Sequence, residues 1–122
     1  SAKLMNRFSG NKQRVLAQEY KMTSQYLKEL KDYTTANNAE LIVFVIPEVK
    51  DVKNKSNDYL NAIAILKDLS IPYIESIDLL KQDDYVNNVN GHWNNRGHVL
   101  AGHVLGKYIL GEVSKRQKAS TH

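Results

Sequence analysis

The sequence has no cysteine, which excludes a disulfide framework and any metal site built on thiolates. It also lacks an apolar run near the roughly 20 residues that a membrane-spanning helix needs. Its start shows no signal-peptide pattern of a charged, an apolar and a small-residue segment. An apolar content of 42% with 25% charged residues is typical of a globular protein, and 122 residues suffice for one domain.

The basic character of the chain is confined to its two ends. Residues 1–18 carry four basic residues and no acid, and residues 113–122 carry three and no acid. The remaining residues 19–112 hold ten bases against thirteen acids, so the body of the chain is mildly acidic. A nucleic-acid surface needs basic residues gathered on one face with aromatics between them, and the sequence does not show that pattern. We therefore predict no nucleic-acid partner, a tag or linker at residues 1–10 and a basic, disordered tail at residues 113–122.

Residues 11–36 are predicted to form one long helix, because apolar residues recur at spacings of three, four and seven. The face expected to lie over a sheet comprises Leu16, Tyr20, Thr23, Leu27 and Leu30, widened by Val15, Met22, Tyr26 and Tyr33. A second helix is predicted at residues 56–69, with Ser56 or Asn57 as its N-cap. Its inner face is expected to comprise Tyr59, Leu60, Ile63 and Leu66.

Two segments are predicted to be strands. The run "LIVFVIP" at residues 41–47 is continuously apolar, as in a strand buried on both faces, and Pro47 marks its end. Residues 71–74 form a shorter strand, followed by an irregular loop over residues 81–95. A last helix over residues 96–110 is expected to bury Val99, Leu100, Val104, Leu105, Tyr108 and Ile109, and to stop at Gly111.

This order of elements predicts an α/β fold with parallel strands joined by a right-handed crossover. Two parallel strands are too few for a stable sheet of this kind. The chain is therefore expected to be the C-terminal half of a larger doubly wound domain, or to pair its exposed strand edge with another chain.

The stretch "NGHWNNRGH" at residues 90–98 holds the candidate chemistry. Ligands of open parallel sheets bind beyond the carboxyl ends of the strands, and this loop leaves from such an end. His92 is thus predicted to face the crevice. A metal site shared by His92, His98 and His103 is disfavoured, because His98 and His103 lie about 140° apart on a helix and carboxylates at ligand spacing are lacking. We predict neither a metal nor a cofactor.

Residues 90–110, "NGHWNNRGHVLAGHVLGKYIL", resemble the last conserved block of the SGNH (GDSL-type) hydrolases, and residues 11–112 resemble the C-terminal part of that domain. The resemblance implies a three-layer α/β/α fold of the flavodoxin-like type, with a parallel sheet. It also implies acyl transfer from O-acyl groups of a carbohydrate or lipid, without a cofactor. A parent protein that is extracytoplasmic or membrane-anchored is implied as well.

Carried over by position, the resemblance makes His92 the general base of a serine nucleophile. The usual aspartate, two residues before the histidine, is Asn90 here, and Asp84 is the alternative acid. Trp93 is either a wedge that packs the loop onto the sheet or a substrate-binding residue. The chain contains no Gly-Asp-Ser or Gly-x-Ser-x-Gly motif, so the nucleophile is expected upstream. The alternative is a non-catalytic SGNH-like module that binds a glycan or a partner protein.

Overall fold

A computed structural model of the chain describes residues 2–86 and 91–120, with side chains described from residue 10 onward. The described residues form a mixed α/β structure with a small parallel sheet, which confirms the predicted class at that level. In chain order the elements are α1 (Ala2–Ala36), β1 (Val43–Val45), α2 (Val49–Lys53), α3 (Asn57–Asp68), β2 (Tyr73–Glu75), a 3-10 turn (Gln82–Asp84) and α4 (Asn95–Ser120).

The two strands pair in parallel, with Phe44 opposite Ile74. Both are shorter than predicted. The second begins two residues later, after Pro72, which has no N–H to donate to the sheet. The Pro72 carbonyl accepts from the amide of Val43 at 3.0 Å. Residues 41–45 are half-buried rather than buried on both faces. Among the described residues no third strand covers either edge, and the parallel pattern directs the backbone N–H and C=O of Phe44 to the open edge of β1.

Helix α3 joins the two strands and covers the core. Of the two predicted N-cap candidates, Ser56 is the N-cap, and its hydroxyl accepts from the amide of Tyr59 at 3.2 Å. The Tyr59 hydroxyl donates to Glu75 at the end of β2, over 2.7 Å, and burial followed by this carboxylate raises the pKa of Tyr59. Leu60, predicted to face inward, is exposed. The buried apolar residues are Val49, Tyr59, Ile65, Leu66, Ile71, Ile74, Ile77, Leu80, Tyr85 and Ala101.

The short helix α2 lies between the predicted strand at residues 41–47 and the predicted helix at residues 56–69, where no helix was predicted. It is held by Asp51, whose buried carboxylate accepts from the amides of Glu48 and Ser56, each at 2.9 Å. The first bond closes the start of α2, and the second brings the start of α3 against it. Burial tends to raise the pKa of Asp51, but the hydrogen bonds from Ser56 and Glu48 outweigh it and hold that pKa below its ordinary value.

Asp51→Asn is therefore expected to lower the free energy of unfolding at neutral pH by about 1–3 kcal/mol, since two charge-assisted hydrogen bonds are weakened. A carboxyl with a depressed folded pKa stabilises above its unfolded pKa of about 3.9 and loses that effect as pH falls through the folded value. Urea unfolding of the wild type and of Asp51→Asn between pH 7 and 3 should show that the difference in their free energies of unfolding shrinks below about pH 4. Asp83→Asn, at an exposed position, is the control. A loss of free energy of unfolding in Asp51→Asn that does not change with pH would contradict this account.

The inward face of α1 differs from the predicted one. The half-buried residues are Tyr20, Ser24, Leu27, Lys31 and Thr34, and the Lys31 ammonium donates to the carbonyl of Leu69 at 2.6 Å. Leu16 and Leu30, predicted to face the sheet, are exposed. The helix also starts at Ala2, so residues 2–10 continue it rather than forming an irregular linker.

Helix α4 likewise departs from its prediction in two respects. Leu100, Val104, Leu105 and Tyr108 are half-buried, but Val99 and Ile109 are exposed. The helix passes through Gly111, which does not take the left-handed conformation of a helix stop, and continues to Ser120. Residues 113–120 are thus helical rather than disordered, while the division into domains stays a prediction. No helix in the described part of the chain is long and apolar enough to cross a membrane.

Candidate active site

The loop that carries His92 returns to the end of the sheet and is pinned there. Tyr85 and Trp93 form an antiparallel bridge, and the amide of Val86 donates to the carbonyl of His92 at 2.9 Å. The buried Tyr85 hydroxyl donates to the carbonyl of Pro47, just beyond β1, at 2.8 Å. Burial raises the pKa of Tyr85, an effect that the nearby indole of Trp93 opposes in part. These contacts place the described end of the loop at the carboxyl end of β1, the end of a parallel sheet at which ligands generally bind.

Trp93 lies between the sheet and the last helix. Its ring centroid is 6.2 Å from that of Phe44 on β1 and 5.6 Å from that of His98, which meets it edge-on. This is the geometry of a wedge, and it gives His98 a packing role. The buried indole nitrogen has no hydrogen-bond partner of normal geometry among the described residues. A substrate-binding role for Trp93 stays a prediction.

Asn94 connects the loop to α4 through three hydrogen bonds. Its amide donates to the carbonyl of Asp84 at 2.8 Å, and its side-chain nitrogen donates to the carbonyl of Asp83. Its side-chain oxygen accepts from the amide of Gly97 at 3.1 Å, so Asn94 is the N-cap of a helix that begins at Asn95.

Gly97 is required because there is no room for a side chain at this position, and not because its backbone takes a conformation that only glycine adopts. A Cβ at this position would lie 2.5 Å from the carbonyl oxygen of Asp84 and 2.8 Å from the Cβ of Trp93. Neither neighbour is the mobile end of a side chain, so α4 approaches the turn before the loop only with glycine here. The spacing Trp-Asn-x-x-Gly-His is therefore explained by packing, capping and close approach.

His92 is the residue of this motif for which the fold provides no such role. It is exposed, and its side chain makes no hydrogen bond or ion pair among the described residues. His92 is next to Trp93 in the sequence. No described contact joins it to His103, which is exposed on α4. The described residues contain no group of three metal-ligating side chains of the His, Cys, Asp or Glu type.

The two predicted acid positions have different outcomes. Asn90 lies outside the described residues. Asp84 is fully buried, and one carboxylate oxygen accepts from the amide of Lys81 at 2.8 Å. The other oxygen is 3.4 Å from the Arg96 guanidinium in the first turn of α4. The carboxylate of Asp84 therefore joins the 3-10 turn to α4, and no described contact pairs it with His92.

Glu48 is a carboxylate that the sequence analysis missed. It lies three residues after the end of β1, and a Cβ on Gly91, the residue before His92, would lie 3.6 Å from its Cγ. Its exposed carboxylate is paired with Lys50 at 3.0 Å. The signal that would have found it is its position at the carboxyl end of a predicted parallel strand, where functional side chains of α/β proteins gather.

A cavity of about 180 Å³ opens on the α3 side of the same strand end. Val45, Ile46 and Ala62 give it apolar walls, and Glu48 and Lys50 lie at its polar side. None of its lining residues belongs to the loop that carries His92. The cavity therefore shares Glu48 with the candidate site without including the imidazole.

Comparisons with protein-family models, with curated proteins and with solved structures find no match to this chain. The resemblance to the SGNH hydrolases therefore stays a prediction, which depends on the sequence motif at residues 90–98.

Proposed function

We propose that the chain is the C-terminal part of an SGNH-type ester hydrolase with a three-layer α/β/α fold. The observation that supports this is the exposed imidazole of His92. The loop that carries it is held at the carboxyl end of β1 by Tyr85 and Trp93, which both have structural roles. A motif that served only to cap α4 would need Trp93, Asn94 and Gly97, but it would not need an exposed histidine.

In this proposal His92 acts as general base and then as general acid. Its neutral imidazole accepts the proton of a serine hydroxyl as that oxygen attacks the ester carbonyl, and it returns the proton to the departing alcohol. Water then hydrolyses the acyl-enzyme by the same proton transfers in reverse order. The serine lies upstream of residue 1, on a strand that extends the sheet beyond the open edge of β1.

Glu48 supplies the negative charge that Asn90 cannot. An amide at position 90 can hold one tautomer of the ring, but it does not stabilise an imidazolium. The Glu48 side chain lies against Gly91, the residue before His92, and its carboxylate is paired with Lys50. In this proposal the carboxylate turns from Lys50 toward the histidine.

The substrate class follows from the resemblance: an O-acyl group on a carbohydrate or lipid, processed by an extracytoplasmic or membrane-anchored parent protein. A non-catalytic module that binds a glycan or a partner protein is the second candidate. Asn90 at the acid position favours it, as does the lack of a described carboxylate bonded to His92.

A serine-directed fluorophosphonate probe separates the two. We expect one covalent adduct on the natural polypeptide that includes this chain with the residues before it, and none on the 122-residue chain. Mass spectrometry after proteolysis locates the modified serine. An unlabelled parent protein would support the binding module, and an adduct within these 122 residues would show that the nucleophile has been misplaced.

A further inference from the structure

A groove of about 610 Å³ opens where α2 and α3 meet the turn after β2. It is lined by Lys53, Asn54 and Lys55 from the junction of the two helices, and by Ile77 and Asp78 from the turn. Its volume is within the range of about 300–1,000 Å³ that is usual for small-molecule sites. The chemistry proposed for His92 gives none of these side chains a role.

The polar side chains of the groove are available for a ligand. Lys53, Asn54, Lys55 and Asp78 are all exposed, and their side chains make no hydrogen bond or ion pair among the described residues. The two lysines are balanced by Asp78 and by the buried Asp51, so the lining carries no net charge. Ammonium, carboxylate and amide groups together offer donors and acceptors to a neutral ligand that is rich in hydroxyl groups.

Leu60 gives the groove an apolar surface. It is 49% exposed, although the helical pattern of α3 predicted that it faces the core. The other apolar side chains of the lining are half-buried or buried, namely Val52, Ile77 and Leu80. A sugar ring matches this lining, because it has an apolar C–H face bordered by hydroxyl groups. The acyl chain of a lipid would lie against unpaired charges, which lose hydration without gaining a partner.

The groove lies at the same end of the sheet as His92. Asp51 lines both the groove and the cavity beside Glu48. The turn after β2 continues into the 3-10 turn, whose carbonyls accept from the backbone and side-chain amides of Asn94, two residues after His92. Strand β2 lies on the side of β1 opposite its open edge, where we place the upstream strands. The added strands would therefore lie beyond β1 and away from the turn that borders the groove.

We propose that this groove binds a neutral oligosaccharide, with the acylated sugar unit extending from it toward His92. The link to His92 rests on the proposed function, and it selects carbohydrate rather than lipid from the two substrate classes that the resemblance implies. Binding in the groove requires no nucleophile, so it can be measured on this chain alone.

Backbone-amide NMR of the 122-residue chain, titrated with cellotriose, maltotriose and triacetylchitotriose, tests the site. We expect at least one of these sugars to shift the amide signals of Asn54, Leu60 and Asp78 in a saturable way, with a Kd on the order of 1 mM. Sodium octanoate, used as the acyl-chain probe, should leave the same signals unchanged.

Leu60→Gln and Leu79→Gln are matched variants. Both leucines are exposed, at 49% and 53%, but only Leu60 lines the groove. Leu60→Gln and Asp78→Ala should each weaken sugar binding by about tenfold, because each removes a side chain that contacts the ligand. Leu79→Gln should bind like the wild type. Circular dichroism of each variant checks that the helices remain.

Three results would overturn the oligosaccharide site. One is the lack of saturable shifts with all three sugars, and another is a shift of the groove signals by octanoate, as a lipid site predicts. The third is equal sugar binding by Leu60→Gln and Leu79→Gln. Failure of the esterase is distinguishable from these results: a parent protein without a fluorophosphonate adduct would contradict the proposed enzyme, and sugar binding in the groove would then belong to a glycan-binding module.

Discussion

Gly97→Ala is expected to lower the free energy of unfolding by about 3 kcal/mol or more, because the new methyl group would overlap the Asp84 carbonyl and the Cβ of Trp93. Relief requires α4 to move away from the turn, and that movement breaks the hydrogen bonds through which Asn94 caps the helix. Urea unfolding followed by the fluorescence of Trp93, the single tryptophan, measures the loss next to the substitution itself.

Gly111→Ala is the matched control in the same helix. A Cβ at Gly111 meets no atom within 4 Å, so alanine there should stabilise the helix by about 0.5–1 kcal/mol. If the free energy of unfolding falls for Gly97→Ala and rises for Gly111→Ala, the cost at Gly97 comes from the close approach of its neighbours and not from the helix propensity of alanine. Equal, small effects would show that α4 does not contact the turn as described, and would remove the packing explanation of the motif.

The elements that the sequence predicted correctly depend on local signals. A continuous apolar run marks β1, and a hydroxyl before a polar turn marks the N-cap at Ser56. Each of these signals lies within a few residues of the feature it predicts. The predictions made from these signals therefore do not depend on which distant parts of the chain pack against them.

The errors concern which face of a helix turns inward. Helix α1 has apolar residues around Tyr20 and Leu27 and also around Tyr26 and Tyr33, so its pattern is compatible with either orientation. The face that turns inward is the one with Lys31, whose ammonium donates to the carbonyl of Leu69, and this contact joins residues far apart in the chain. The exposure of Val99 and Ile109 on α4 has the same origin, since the close approach at Gly97 fixes the rotation of that helix.

At the site, sequence identified His92 but not the contacts around it. Asp84 was a reasonable alternative acid from its distance along the chain, yet its carboxylate is engaged by Lys81 and Arg96. Glu48 lies more than forty residues before His92, and only the parallel sheet brings it against Gly91. The distance between Glu48 and His92 along the chain does not indicate that contact, and only the position of Glu48 after a predicted strand does.

His92→Ala in the natural polypeptide that includes this chain is expected to reduce kcat for p-nitrophenyl acetate hydrolysis by about a thousandfold, because the serine loses the base that accepts its proton. KM should change little, since the exposed imidazole contributes no described packing. His103→Ala, also exposed and outside the loop, is the control and should retain the wild-type rate. Glu48→Gln should give an intermediate loss, because the imidazolium would lack a stabilising charge while the base remains. Equal rates for His92→Ala and the wild type would eliminate the base and leave the binding module as the function of this site.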